Sequence, residues 1–399
     1  MRGFKRRWEV ADVEKLLLDR VKPLPAEPVP VTYAAGRVLA IDIVAPLDLP
    51  GFDRSAMDGY ALRGEETFGA SAYSPIAFKV IGDSMPGRAF DGKVGKGQTV
   101  RIMTGAPMPA GADAVLMAED ARGSMEAVAP VAPGKNVSKA GEDVRTGEPL
   151  MKPGRWLRPQ DAGLLSALGL SDVRVLRKPK VDIIATGNEL LPPGRPPMGH
   201  KIVDANSPML AALVRRDGGD PHVHPIVRDE EKLLESLLAT CRGDAILISG
   251  GSSVGIEDHA PRVVERLGEL AVHGVAMRPS SPTGVGFIGS RPVFLLPGNP
   301  VSCLCAYDFF AGLALRIMGG RSREWPYRSV EMKLAKKVAS QSGRVDYLRV
   351  TIAKGKAVPL MISGAGILSS TVRADGFVVV PRDSEGFAAG AKVTVLLYG

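Results

Sequence analysis

The order of apolar and polar residues divides the chain into stretches of different period. Residues 9–22 (EVADVEKLLLDRVK) place their apolar positions at helical spacing. The segment 29–45 (VPVTYAAGRVLAIDIVA) mixes short strand-like and helix-like pieces. From 46 to 141 apolar and polar residues alternate between frequent Gly and Pro, as in AFKVIGDSMPGRAF and GKGQTVRIMTGAPMPAGADAVLMAED. That pattern predicts an all-β unit of modest size. Helical spacing returns at 159–170 (PQDAGLLSALGL). Packed back on the first helix, this piece makes the β unit an insertion.

Beyond residue 180 the pattern changes. KVDIIA, PHVHPIV, DAILISGG and VFLLPGNP read as strands. SPMLAALVRRDGG, DEEKLLESLLATCR, EDHAPRVVERLG and VSCLCAYDFFAGLALRIMG, set between and after them, read as helices. Such alternation means βαβ units and a mostly parallel sheet. From about 324 strands with glycine turns return (VEMKLAKKVA, DYLRVTIA, GFVVVPRD, AKVTVLLYG). The expected fold class is α/β plus β, in several domains.

Composition sharpens this picture in a few places. A chain of 399 residues exceeds one ordinary hydrophobic core, so two to four domains are expected. A hydrophobic fraction of 45% with 24% charged residues belongs to a globular protein. The net charge of +8 suits an anionic partner, although the Lys and Arg residues are interspersed, which equally describes a merely basic surface. With no finger spacing, aromatic RNA-binding motif or basic recognition helix, nucleic acid is not expected as a partner. Three cysteines, Cys241, Cys303 and Cys305, argue against a disulfide framework and read as core residues. The first residues have too short an apolar run for a signal peptide. No window approaches about 18 uninterrupted apolar residues, so no membrane and a cytoplasmic location are expected.

Candidate chemistry gathers in the loops that follow the α/β strands: TGNEL (186–190), SGGSSVGIED (249–258) and PGNPVS (297–302). The second contains a G-x-S-x-G match centred on Ser253, the pattern of a hydrolase nucleophile. That reading needs a later acid and then a later histidine. Only His259 and His273 follow, both close to Ser253 in sequence, so the triad lacks its base. GGSSVG is not G-x-G-x-x-G, and no P-loop is present. What remains is a Gly/Ser turn whose N–H groups can cradle a phosphate. In PGNPVS, Pro297 ends a strand, Gly298 permits close backbone approach, and Pro300 sits near the first helical position. Either turn alone is an ordinary strand-to-helix connection. Two in neighbouring units point to a phosphate-bearing ligand. Glu189 suits a metal or a ribose hydroxyl, and equally an acid of a helix start. Asp258 suits a helix cap, and equally a Mg²⁺ ligand. In the N-terminal half, PGFDRSAMDGYAL (50–62) crowds Asp53, Arg54, Ser55 and Asp58. RIMTGAPMPAGAD offers Thr104, and SKAGEDVR offers Glu142 and Asp143. These are turn residues that can also complete a site on another domain or a second subunit.

PGFDRSAMDGYAL, RIMTGAPMPAGADAV, AGEDVR, ATGNELL, ISGGSSVGIEDH and LLPGNPVS, in that order, resemble the molybdopterin molybdenumtransferases: the MoeA family, with the E domain of gephyrin. The resemblance spans essentially the whole chain. It implies a two-segment linker domain (1–45 and 142–176), an inserted β domain (46–141), a molybdopterin-binding α/β domain (177–323) and a barrel-like C-terminal β domain (324–399). It also implies a homodimer whose site is shared between subunits. The implied reaction inserts molybdate into adenylylated molybdopterin and releases AMP with the help of Mg²⁺. Carried over by position, Asp58, Thr104, Asp143, Glu189 and Asp258 are the functional polar residues. Gly250, Gly251, Ser253, Arg278, Ser281, Pro297, Gly298, Asn299 and Pro300 form the cofactor cradle, and Glu189, Asp229 and Asp258 hold the metal. Other proteins of cofactor synthesis are possible partners. One departure stands out: where the family reads close to K-P-G-K-P, this chain has Arg278-Pro279-Ser280-Ser281-Pro282. Arg278 keeps one cation and Ser281 replaces the second, and Arg and Lys are not interchangeable at anion sites. Two alternatives follow from it: a non-catalytic cofactor-binding or scaffold protein, or a variant for another oxyanion such as tungstate.

Overall fold

The computed structural model describes residues 7–251 and 259–398. The chain forms two compact units, one of residues 1–27 with 175–399 and the other of residues 28–174.

The first unit begins with α1 (Val10–Arg20), whose buried residues Val10, Val13 and Leu17 lie at helical spacing. Asp12 in its first turn and Arg20 in its last complement the helix dipole. Those three apolar residues belong to the core that includes Val181, Leu247 and Phe310. The expectation that the 159–170 helix covers this face therefore does not describe α1. Apolar spacing marks a face to be buried but not the surface that buries it.

The α/β elements follow in chain order: β1 (Lys180–Ala185), α2 (Asn206–Arg216), β2 (Asp220–Val223), α3 (Glu231–Thr240), β3 (Ala245–Ser249), α4 (Ala260–Leu267), β4 (Glu269–His273), β5 (Gly284–Ile288), β6 (Arg291–Leu296) and α5 (Pro300–Met318). In space the strands run β2-β1-β3-β6-β5-β4. β2, β1, β3 and β6 pair in parallel, and only β5 opposes its neighbours. The apolar pattern did not mark β4 and β5. Gly284 and Gly286 interrupt the run in β5, where a side chain at Gly286 would come within 2.5 Å of Val264 on α4.

Alternate residues of the central strands feed two separate cores. Val181 and Ile183 of β1, Ala245 and Leu247 of β3, and Phe294 and Leu296 of β6 face one cluster, with α1, α2 and α5. Ile184, Ile246, Ile248, Val293 and Leu295 face the other, with α3 and α4. Burial on both faces is why these strands read as continuous apolar runs. The 19-residue α5, with mean hydropathy 1.5, is long and apolar enough to cross a membrane, yet it is buried within the protein. Its two charged residues, Asp308 and Arg316, pair with Arg216 at 2.8 Å and Asp217 at 3.0 Å. It is a core helix. Tyr307–Ala311 within it forms a π-helical turn.

The longer strands that follow are β7 (Arg328–Leu334), β8 (Val345–Ala353), β9 (Lys356–Met361), β10 (Gly376–Val380) and β11 (Lys392–Leu397), and Met277–Arg278 adds to β8 as a sixth strand of their sheet. The five longer strands pair in the order β8-β9-β7-β11-β10, and β10 returns to pair with β8, which closes a barrel around Leu348, Val350, Val378 and Val395.

In the second unit, Lys79–Ser84, Gln98–Ile102, Gly59–Leu62 and Ala114–Met117 form a four-stranded sheet in that order. Gly59 is required there, because a Cβ would lie 1.9 Å from the Leu116 carbonyl oxygen. The helix Pro159–Ala167 buries Leu165 and Asp161.

Candidate functional site

β1, β3 and β6 are adjacent and parallel, so the loops that follow them leave the sheet along one edge. β1 passes to β2 on one side, and the chain then returns to β3 on the other side of β1. In an open α/β sheet a ligand crevice forms at such a reversal, beyond the carboxyl ends of the strands. A cavity of about 680 Å³ lies there, lined by all three loops and by the start of α2.

Gly250 turns the chain out of β3 with φ +97°, and a Cβ on it would lie 2.4 Å from the Thr186 carbonyl oxygen. Gly251 follows with φ +56°. Both turns need glycine. At Gly298 the nearest atom to an added Cβ is Gly250 Cα at 3.7 Å, so the fold itself makes no such demand there.

Asn206 ties two of the loops together. Its Nδ2 donates to Ser249 Oγ and to the Gly298 carbonyl, each at 2.8 Å. Asp204 Oδ1 accepts the backbone N–H groups of Asn206 and Ser207 at 2.9 and 3.0 Å, which satisfies the start of α2. Asp229 Oδ2 accepts the Asn188 N–H at 2.9 Å and so fixes the loop after β1. At the start of α5, where Pro300 is the first helical residue, the Val301 N–H donates to the Ala365 carbonyl at 3.0 Å. This contact carries Gly366, from the link between β9 and β10, to the cavity wall.

The cavity therefore brings together Glu189, Asp229, Gly250, Gly251, Pro297, Gly298, Asn299 and Pro300. Thr186 Oγ1 and Asn206 Oδ1, on residues lining the same cavity, are buried with no partner among the described residues. The carboxylates of Glu189, Asp204 and Asp229 offer oxygen donors alone, the set that suits a hard cation such as Mg²⁺. Ser253 and Asp258 lie outside the described residues.

A second cavity, of about 570 Å³, shares Pro282, Pro297 and Asn299 with the first and holds Arg278, Ser281 and Arg344 in its walls. Arg278 is engaged at two points by the fully buried Asp346, through Nε at 3.1 Å and through Nη2. Arg344 Nε lies 3.3 Å from the same carboxylate, and Ser340 Oγ donates to it at 2.7 Å. Ser280 has φ +95° and donates its hydroxyl to the Ser302 carbonyl. Ser281 Oγ is buried without a partner among the described residues.

In the second unit the structure joins Asp58 to Thr104. Asp58 Oδ1 accepts both the backbone N–H and the hydroxyl of Thr104, each at 2.7 Å, and these bonds hold the carboxyl below its usual range. Asp53 accepts from Lys139 Nζ at 2.7 Å and from the Ala140 N–H at 2.9 Å, which ties the 50–62 stretch to 138–145. Glu142 accepts from Ser138 and Lys139, and Asp143 is exposed, with its N–H bonded to the Leu49 carbonyl at 3.0 Å.

Sequence reasoning missed Asp204, Asn206 and Gly366. Asp204 carried a usable signal, an acid just before an apolar helical run. Gly366 carried none, because only the folded chain brings it to the cavity.

Three family models cover most of the chain. Residues 8–169 match the MoeA N-terminal region (domain I and II), residues 182–316 a probable molybdopterin binding domain, and residues 331–398 the MoeA C-terminal region (domain IV). The chain is 35% identical over 400 residues to molybdopterin molybdenumtransferase 2 of Mycobacterium tuberculosis, covering 97% of this chain and 98% of that one. It is 32% identical over 401 residues to a molybdopterin molybdenumtransferase of Staphylococcus aureus, covering 97% and 95%. Two crystal structures of a molybdopterin biosynthesis MoeA protein from Pyrococcus horikoshii superpose with TM-scores of 0.84 and 0.79 at 37% and 36% identity. They cover 99% and 98% of this chain and all of theirs.

Proposed function

Because the chain belongs to the MoeA family of molybdenum cofactor biosynthesis, we propose that it is a molybdopterin molybdenumtransferase. In this reading it inserts molybdate into adenylylated molybdopterin with release of AMP. The observation that carries the proposal is the cavity at the carboxyl ends of β1, β3 and β6, where glycine turns and helix starts meet several carboxylates. Backbone N–H groups of a Gly/Ser turn and helix dipoles favour a phosphate at that place.

Within this proposal Glu189, Asp229 and Asp258 hold Mg²⁺, which supplies charge neutralisation on the phosphates of the substrate. The chain's own residues do the positioning. Asn206 keeps the two cradle loops at a fixed separation, and Asp204 and Asp229 hold the adjoining backbone rigid. Arg278 supplies a cation for the oxyanion at the wall of the second cavity. Catalysis is then mainly orientation and electrostatics, with no covalent nucleophile. The proposal extends to a cytoplasmic homodimer in which Asp58, Thr104 and Asp143 of a second subunit complete the site. It also keeps the four-domain division with linker segments 1–45 and 142–176.

Incubation of the purified protein with adenylylated molybdopterin, molybdate and Mg²⁺ tests the reading, with AMP release as the expected result. No AMP above a protein-free control overturns it. Arg278 is paired with Asp346, and Ser281 stands where the family has a second cation. That arrangement favours tungstate use or a cofactor-binding role as the second reading. Faster turnover with tungstate, or tight substrate binding without AMP release, identifies which alternative holds.

A further inference from the structure

Away from the cavity, three side chains of different chemistry converge on one point. Asp182 lies on β1, His224 just beyond β2, and Cys241 at the end of α3. One ligand atom from each lies within 4.8 Å of the other two. Asp182 Oδ1 is 2.8 Å from His224 Nε2, and Cys241 Sγ is 3.9 Å from the same nitrogen. Asp182 is four residues before Thr186, about 13 Å along a strand at roughly 3.3 Å per residue, so the cluster is separate from the cavity.

The arrangement is not a nucleophilic triad. A relay needs the acid and the nucleophile on different ring nitrogens, whereas here both address Nε2. Burial and then Asp182 push the Cys241 thiol up to about 12, which makes it inert as a nucleophile. Convergence on one nitrogen is instead what a shared central ion requires. Four-coordinate zinc with bonds of about 2.0–2.3 Å sets its ligand atoms roughly 3.3–3.8 Å apart, inside the spread seen here.

The surroundings prepare the group. The second carboxylate oxygen, Asp182 Oδ2, accepts the Gly243 N–H at 2.7 Å, and Gly243 has no side chain that would collide with it. Asp182 and Cys241 are buried, and His224 opens towards the surface. The exposed His222 ring stands edge-on to His224, with centroids 4.5 Å apart, on the side where His224 opens to the surface.

We propose that Asp182, His224 and Cys241 form a binding site for a borderline divalent transition metal such as Zn²⁺, which clips β1, the end of β2 and the end of α3 together. Mixed N, O and S donors select such an ion over Mg²⁺. The thiol gives up its proton on binding, so affinity rises with pH.

The test uses the full chain stripped of metal by a chelator and titrated with Co²⁺ as a spectroscopic stand-in for Zn²⁺. The expected result is one equivalent with a thiolate-to-cobalt absorption band, displaced by Zn²⁺. Cys241→Ser should abolish the band. His224→Gln should weaken Zn²⁺ binding more than about 100-fold, beyond the loss typical of a partner outside the coordination sphere. Glu189→Gln should leave the band intact, which separates this site from the cavity. A folded wild-type chain that shows no thiolate band overturns the proposal whether or not the variants fold. Equal Zn²⁺ affinity in wild type and His224→Gln overturns it as well.

Discussion

Gly250 shows how far one residue can govern the site. Its φ of +97° and the 2.4 Å separation from the Thr186 carbonyl leave no room for a methyl group. Gly250→Ala should lower stability by about 1–3 kcal/mol from backbone strain alone and should abolish substrate binding. Urea denaturation and equilibrium binding check the two effects, and unchanged affinity would show that the turn does not shape the cavity. Asp58 gives a second case. The Thr104 N–H and hydroxyl depress its carboxyl, so the bonds stabilise the folded state above the unfolded-state pKa. That contribution is lost as pH falls through the folded value. Thr104→Val removes the hydroxyl and leaves the N–H. The Asp58 titration, followed by carboxyl carbon NMR, should therefore move up towards the ordinary range. A titration that stays in place would show the backbone donor to be sufficient.

At the scale of elements, α5 joins several parts of the first unit. Arg216 on α2 bonds Asp308 on α5, and Asp308 also accepts the Tyr327 hydroxyl at 2.8 Å, just before the barrel. Asp308→Ala leaves the guanidinium with Asp217 as its remaining carboxylate partner, beside the Tyr327 hydroxyl. Breaking a buried pair in this way costs about 3–5 kcal/mol. A loss below about 1 kcal/mol in chemical denaturation would show that Asp217 suffices as the carboxylate partner. The central strands were legible because both of their faces are buried, and apart from Asp182 the stretches Val181 to Ala185 and Ala245 to Ile248 are consequently apolar. β5 was hidden because close packing against α4 replaced side chains with glycine. The partner of α1 was hidden because spacing carries no address. The cradle glycines could be read from the loops, whereas the Asp346 carboxylate on Arg278, 68 positions away, could not. Long-range pairing leaves no local mark in the sequence.

At the scale of the whole molecule, a net charge of +8 favours anionic substrates. Raising ionic strength from about 0.05 to 0.5 M shortens the screening length several-fold. The KM for adenylylated molybdopterin should rise with it while kcat changes little, and a flat KM would assign the attraction to the cavity's local dipoles. The barrel differs from the α/β sheet in one further respect. In the barrel β7 to β11 close on themselves through the pairing of β8 with β10, so none of the five is a terminal strand. The α/β sheet ends at β2, whose outer side pairs with no other described strand and whose Val223 is 45% exposed. Pro221 sits in the middle of that edge and withholds an N–H where another chain would dock. The proline thus acts as a guard against self-association. Pro221→Val should keep the fold yet speed the growth of light-scattering aggregates at high concentration, most visibly near the temperature where the chain begins to open.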